Sequence, residues 1–282
     1  MFYQQKTLNC NGKLISIEQP LVMGILNVTP DSFFDGGKYQ NEKEVLERAE
    51  QILKEGGTII DVGGMSSRPR AEIIDVDEEL RRVIPVIEKL STTFPEAIIS
   101  IDTIQGEVAN KACQAGARMI NDISGGTIDN SIFDMAIQNK VPYILMHIQG
   151  TPANMQDNPK YENVVLEILD YFIAQIGELR KKEMIDIIID LGFGFGKSVA
   201  HNYQILKKLH IFKMLEVPIM VGLSRKSMIY KVLESDAQNA LNGTTALHMI
   251  ALQEGARLLR VHDVREAVET VKLWNQIDQL KD

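Results

Sequence analysis

Cysteine is almost missing from this 282-residue chain, and the two present, Cys10 and Cys113, stand far apart. They form no Cys-x-x-Cys pair, so no disulfide framework, thiolate metal site or dithiol redox centre is expected. Sparse cysteine suits a reducing, cytoplasmic compartment better than secretion. Histidine is also scarce. The five residues show no His-x-x-x-His or related zinc spacing, and His201, His210 and His248 read as helix-surface or packing residues. Basic residues are outnumbered, 30 against 38 acidic, for a formal net charge of -8. A broad nucleic-acid face needs clustered Lys and Arg, so that partner is not expected, although a few focused cations would serve a small phosphorylated substrate. No apolar run approaches the roughly 20 residues that span a bilayer. The first residues show no basic start followed by an apolar segment, so a signal peptide is not expected either. Low-complexity tracts and linker-like boundaries are absent.

What is present is an ordinary globular balance, 45% hydrophobic and 24% charged, with length for one large α/β barrel or two ordinary domains. Short, continuously apolar runs alternate with longer amphipathic stretches. The runs are Val22–Leu26, Thr58–Val62, Ala97–Ile101, Arg118–Asn121, Tyr143–Met146, Asp186–Ile189, Pro218–Val221 and Arg257–Val261. Such runs suit strands buried on both faces. Between them, helical spacing predicts Glu42–Glu55, Asp77–Leu90, Gln105–Ala115, Ser131–Asn139, Tyr161–Lys182, His201–Phe212, Gln238–Glu254 and Arg265–Leu280. Gly56-Gly57 is a stop signal for the first of these. The repeat without a long linker predicts a (β/α)8 TIM barrel over 21–282, with an open doubly wound sheet as the runner-up. Residues 1–20 lie outside the repeat. Thr7–Asn11 and Lys13–Ile17 suggest a hairpin turning at Asn11-Gly12 and plugging the barrel's bottom.

The strands stay apolar until their C-terminal ends, where polar residues recur. These are Asn27, Ser66-Ser67-Arg68, Asp102, Asn121-Asp122, His147, Asp190, Ser224-Arg225-Lys226-Ser227, and Arg260 with His262. A barrel gathers such ends on one rim, the usual place of its chemistry. For any single residue a helix cap is the simpler account; recurrence at one end is what carries weight. Asp102, Asn121, Asp190 and Lys226 offer acceptors, an amide and a cation that match the edge of a fused nitrogen heterocycle, a structural salt bridge between Lys226 and one carboxylate being the alternative. Asn27, Arg68, Arg260 and His262 suit a diphosphate with a hard cation, against local pairing with carboxylates such as Asp263. Ser224–Ser227 reads as a Ser-capped helix start able to hold a carboxylate, or as a plain capped helix. Gly192-Phe193-Gly194-Phe195-Gly196-Lys197-Ser198 ends like a P-loop, but Leu191 stands where the first glycine should be. It reads instead as a glycine-rich loop that brings backbone and Phe195 close to a ligand.

Asn27-Val28-Thr29-Pro30-Asp31-Ser32-Phe33-Phe34-Asp35-Gly36-Gly37, Gly192–Lys197, Ser224–Ser227 and Arg260-Val261-His262-Asp263-Val264 resemble the signatures of the dihydropteroate synthases, in order and spacing, from about Leu21 onward. The resemblance implies a transferase that joins 6-hydroxymethyl-7,8-dihydropterin diphosphate to 4-aminobenzoate, releases diphosphate, uses Mg²⁺, works as a homodimer and is a sulfonamide target. It assigns Asp102, Asn121, Met146, Asp190, Gly194 and Lys226 to the pterin. Asn27, Arg68, Arg260 and His262 fall to the diphosphate, with Asn27 on the metal and Asp35 closing over from the first loop. Ser67, Pro69, Phe195 and Ser227 fall to the aminobenzoate. Asp35, Arg68, Lys226, Arg260 and His262 are the residues expected to act in catalysis. Departures are Met65-Ser66-Ser67-Arg68-Pro69-Arg70 where Glu-Ser-Thr-Arg-Pro-Gly is common, Leu191 for a proline and Tyr230 for a glycine. The rival activities are pterin-dependent methyl transfer on the same barrel and pterin binding without turnover.

Overall fold

The computed structural model describes residues 5–28, 38–65, 73–150, 155 and 159–280. Strands β1 (Thr7–Cys10) and β2 (Lys13–Ser16) form an antiparallel hairpin. The remaining strands are β3 (Leu21–Asn27), β4 (Ile59–Gly63), β5 (Ile98–Asp102), β6 (Met119–Asp122), β7 (Tyr143–Met146), β8 (Ile187–Asp190), β9 (Ile219–Val221) and β10 (Leu258–Val261). All are parallel and close in the order β10-β3-β4-β5-β6-β7-β8-β9. The open sheet is thereby excluded. The helices are α1 (Lys38–Lys54), α2 (Val76–Thr93), α3 (Gly106–Ala115), α4 (Ser131–Asn139), α5 (Val164–Lys181), α6 (Val199–Lys207), α7 (Ser227–Tyr230), α8 (Leu241–Glu254) and α9 (Val264–Asp278). No helix among the described residues is long and apolar enough to cross a membrane.

Two cores follow from strand alternation, which turns successive side chains to opposite faces. Outward residues such as Val62, Ile101, Leu145 and Ile189 pack under the helices with Ile52, Val83, Ile87, Phe172 and Phe212. Inward, each barrel strand sends one residue to a second cluster: Met23, Ile59, Ile98, Met119, Ile144, Ile188, Met220 and Leu258. Leu8, Cys10 and Ile17 of the hairpin join that cluster, so the hairpin does close the barrel at the strands' N-terminal ends. Burial pushes the thiols of both Cys10 and Cys113 up to about 12.

Local chemistry accounts for most boundaries. Asp75 accepts from the Glu78 N–H at 2.8 Å and starts α2, whose first turn also carries Asp77 and Glu78 against the helix dipole. Asn163 accepts from Val165 and Leu166 N–H groups, so α5 begins there and not at Tyr161. Gly56, at φ 95°, ends the first α-helix as expected. The stretch predicted as one helix over His201–Phe212 is divided. Ser198 and His201 form a capping box that starts α6 two residues earlier, and a tight 3-10 turn runs from Leu209 to Leu215. The helix predicted from Gln238 starts at Leu241, because Asp236 Oδ1 accepts from the Gln238 and Asn239 N–H groups and holds a turn instead. Leu8 is fully buried at the bottom. Its replacement by Ala is expected to cost about 2–5 kcal/mol in urea unfolding, as other buried Leu truncations do. Turnover should be unchanged, because the hairpin lies at the end of the barrel away from the polar rim.

Candidate active site

Two residues above the apolar layer, the inward positions read Asp61, Ser100, Asn121, Asp190, Gly222 and Arg260, with Ile25 and Met146 completing the ring. Arg260 Nε donates to Asp61 Oδ2 at 2.7 Å and its Nη2 donates to Asp102 Oδ2 at 2.6 Å. Asn121 Nδ2 donates to the same Asp61 oxygen at 3.1 Å. Burial raises Asp102 above the usual carboxylate range, and Arg260 pulls the other way. Burial also works against the charge on Arg260, but Asp61 and Asp102 outweigh it and hold the guanidinium above its ordinary value. Thus Arg260, expected as a diphosphate ligand, is first committed to two carboxylates. Only its Nη1 is without a protein partner among the described residues.

Asp190 lies beside this network. Burial raises it, opposed by Lys226 and by the Gly192 N–H, which it accepts at 2.8 Å. A Cβ on Gly222 would stand 3.6 Å from Asp190 Oδ2 and 3.9 Å from Arg260 Cβ, so the missing side chain keeps open the space beside both. Lys226 donates to the Phe193 carbonyl, and its Nζ sits 4.5 Å from the centre of the Phe195 ring. Among the described residues no ion pair ties Lys226 to Asp190, so the salt-bridge alternative fails. Burial lowers Lys226 to about 8, against the pull of Asp190 and with the push of Arg260. Phe195, Met146, Ile104, Ile123 and Met155 form an apolar shelf at this rim.

The glycine-rich loop is built as its sequence suggests. Gly192, Gly194 and Gly196 have φ of 65°, 80° and 61°, a region that side chains avoid. The anchor of this loop is Lys197, to which the sequence reading gave no role. Its buried ammonium donates to the carbonyls of His147 (3.1 Å), Gly192 (3.0 Å) and Phe195 (2.9 Å), and faces His147 Nδ1 at 3.1 Å. Burial lowers Lys197 to about 7, and burial with the Lys197 charge lowers His147 to about 3, leaving a neutral ring that can accept.

On the other side, Asn27 is exposed at the end of β3. A Cβ on Gly63 would lie 3.4 Å from Asn27 Oδ1 and 3.7 Å from Asp102 Oδ2, so glycine leaves a cradle between them. His262 follows β10. Its Nδ1 is 3.2 Å from Ser224 Oγ, and its backbone N–H donates to the same oxygen at 3.3 Å. Desolvation, then the charge of Arg260, lowers His262 to about 4, so at pH 7 it offers a dipole where the sequence suggested a cation. The Ser-capped helix start is not formed. Helix α7 has four residues, Lys226 occupies its N-cap without a side-chain bond, and Ser227 is its first helical residue. Asp263 is engaged by Arg225 and not by Arg260.

Asn27, Asp102, Asn121, Met146, Asp190, Gly194, Phe195, Lys226, Arg260 and His262 therefore stand at one mouth, and Ser227 opens α7 directly after Lys226. Asp35, Ser67, Arg68 and Pro69 lie outside the described residues. Sequence reasoning missed Asp61, although a charge within the apolar strand Ile-Ile-Asp-Val-Gly had to find a partner. Of the other histidines, His201 caps α6, His210 pairs with Glu254 on the surface, and His248 is buried in α8. Two of these match the packing and surface roles expected, and the cap was not foreseen.

Residues 23–262 match the family described as pterin binding enzyme. The dihydropteroate synthase of Escherichia coli K12 is 42% identical over 94% of each chain. Among solved structures, Yersinia pestis dihydropteroate synthase with a sulfonamide drug superposes with a TM-score of 0.91 at 39% identity, covering 97% of this chain and 100% of that one. Xanthomonas albilineans dihydropteroate synthase in complex with 7,8-dihydropteroate gives 0.87 at 36% identity, covering 98% and 100%. With a buried carboxylate–guanidinium mouth on a closed barrel and these likenesses over nearly its whole length, the chain belongs to the dihydropteroate synthases among the pterin-binding enzymes.

Proposed function

We propose that this mouth carries out the dihydropteroate synthase reaction, in which 6-hydroxymethyl-7,8-dihydropterin diphosphate and 4-aminobenzoate give 7,8-dihydropteroate and diphosphate. The observation that carries the reading is the buried network of Asp61, Asp102, Asn121 and Arg260, with Asp190 and Lys226 beside it. Relatives named for this activity across nearly the full chain set aside methyl transfer and binding without turnover.

The pterin half works by complementarity. A desolvated carboxylate such as Asp190 can accept two parallel N–H bonds from an amino-pyrimidinone edge. Asp102 and Asn121 add an acceptor and an amide, and Lys226 adds a donor. The apolar shelf under Phe195 suits the flat ring faces. Analogues that lack the matching N–H groups would leave buried polar atoms unpaired and be rejected. Phe195 and Ser227, with Ser67 and Pro69, take the aminobenzoate side. There the neutral amine bonds to the exocyclic methylene as its C–O bond to diphosphate breaks, and the nitrogen then gives up one proton to solvent or to the released diphosphate.

Charge then collects on the departing diphosphate. The ring Nε2–H of His262, the Arg260 Nη1 and, from outside the described residues, Arg68 would meet it. The resemblance also implies Mg²⁺, and the donors present fit it. Asn27 offers a neutral, exposed amide oxygen beside the Gly63 cradle, and an ion that keeps its waters and takes phosphate oxygens needs little more from the protein. Among the described residues no three His, Cys, Asp or Glu side chains gather into an all-protein cage. Bound there, Mg²⁺ would neutralise leaving-group charge. We also read the enzyme as a cytoplasmic homodimer. Ile250 on α8 and Leu273 and Ile277 on the adjoining α9 are exposed apolar side chains that suit contact with a second copy, checkable by sedimentation.

Diphosphate release should require both substrates and drop on chelation of Mg²⁺. Release with neither condition met would remove the reading. Asp190→Asn should weaken pterin binding by about five- to 150-fold by calorimetry, the equivalent of the roughly 1–3 kcal/mol attached to an unmatched buried group. Near-normal affinity would take Asp190 out of the pocket. The pH dependence follows from Lys226. It is charged below about 8 and loses its proton above, so affinity for the pterin diphosphate should fall as pH rises through that value. Lys226→Arg should push the fall beyond the measured range; an unmoved profile would assign the titration elsewhere.

A further inference from the structure

Strands β9 and β10 share backbone pairing at two positions only, Met220 with Leu258 and Val221 with Leu259. Both segments run on past the end of that ladder to site residues, Ser224 and Lys226 on one, Arg260 and His262 on the other. Past the ladder, side chains take over. The first link is Ser224 to His262, through both the ring nitrogen and the backbone N–H. The second lies one residue further along each segment. Arg225 Nε donates to Asp263 Oδ2 at 2.8 Å, and Nη2 donates to Asp263 Oδ1 at 2.6 Å, a bidentate grip.

Arg225 is held at three more points. Its Nη1 donates to the carbonyls of Ala237 (3.3 Å) and Gln238 (3.2 Å), and its backbone N–H donates to Thr244 Oγ1 on α8 at 3.1 Å. Its φ is 56°, a left-handed conformation that a long L side chain adopts only where its surroundings over-determine it. This bend stands between Ser224, turned to His262, and Lys226, turned to the Phe193 carbonyl. The strain and the fixing contacts thus fall on the residue between the two halves of the mouth.

We propose that Arg225 and Asp263 are positioning residues for the reaction: together they clamp the His262 segment to the Lys226 segment where backbone pairing has ended. The proposal rests on the placement of His262 at the diphosphate and Lys226 at the pterin given above. The clamp touches no substrate. It fixes where the imidazole stands relative to the ammonium, and so where the leaving group lies relative to the ring. Asp102, Asn121 and Asp190 belong to other strands, so pterin affinity is left largely intact when the clamp is broken. The loss appears in turnover.

A double-mutant cycle on the full-length enzyme tests this. Arg225→Met should lower kcat by about 30-fold in the otherwise unaltered enzyme but by less than about threefold in a His262→Ala background, as for two residues that act through one interaction. KM for both substrates should move little in each. Asp263→Asn, nearly isosteric, repeats the cycle and carries the test if Arg225→Met does not fold by circular dichroism. Equal losses in both backgrounds, or a lowered melting temperature with unchanged kcat, would overturn the clamp and leave an ordinary ion pair. A fully active His262→Ala would instead remove the site reading itself, and the clamp with it.

Discussion

A guanidinium shared between two carboxylates inside a barrel governs this molecule's working end. Arg260 reaches Asp61 and Asp102, on the two strands β4 and β5, from β10 across the mouth. Each carboxylate alone would be costly to bury, and so would the guanidinium. Together they hold charge in a place that excludes most water, where a ligand's hydrogen bonds gain strength. The neighbours follow from it. The Asn121 amide is turned by Asp61, burial and then the Arg260 charge keep His262 neutral, and burial, with the Arg260 charge adding to it, leaves Lys226 easier to deprotonate than a surface lysine.

The barrel separates stability from reactivity along its axis. At one end eight inward side chains and the hairpin make a sealed apolar plug. At the other, the same inward positions carry acids, an amide and an arginine, which only a rigid frame can keep from collapsing onto each other. Glycines at Gly63 and Gly222 then hold open the spaces between these groups, beside Asn27 and Asp102 and beside Asp190 and Arg260.

The fold was legible because every barrel strand is a short apolar run buried on both faces, and each is found within a residue or two of its predicted bounds. The polar rim was legible because these runs end in Asn27, Asp102, Asn121, Asp190 and Lys226-type chemistry at one side. What stayed hidden was pairing. Nothing local announces that Arg260 prefers Asp61, 199 positions away, over nearby Asp263. Lys197 looked like the tail of a failed phosphate loop, since three carbonyls gathered from two loops are a tertiary fact. The α7 start was misread for a different reason: Ser224 had a capping composition, but its hydroxyl is taken up by His262.

The two thiols carry a practical corollary. Cys10 sits in the bottom plug and Cys113 on the buried face of α3, both raised to about 12 by that burial. Neither is present as thiolate at neutral pH, so thiol-directed reagents find no reactive sulfur at either position in the folded molecule. Any labelling of Cys10 reports that the hairpin has lifted from the barrel floor, and any labelling of Cys113 that α3 has come away from the wall. The chain therefore carries two built-in silent reporters of local opening, one for each of its cores.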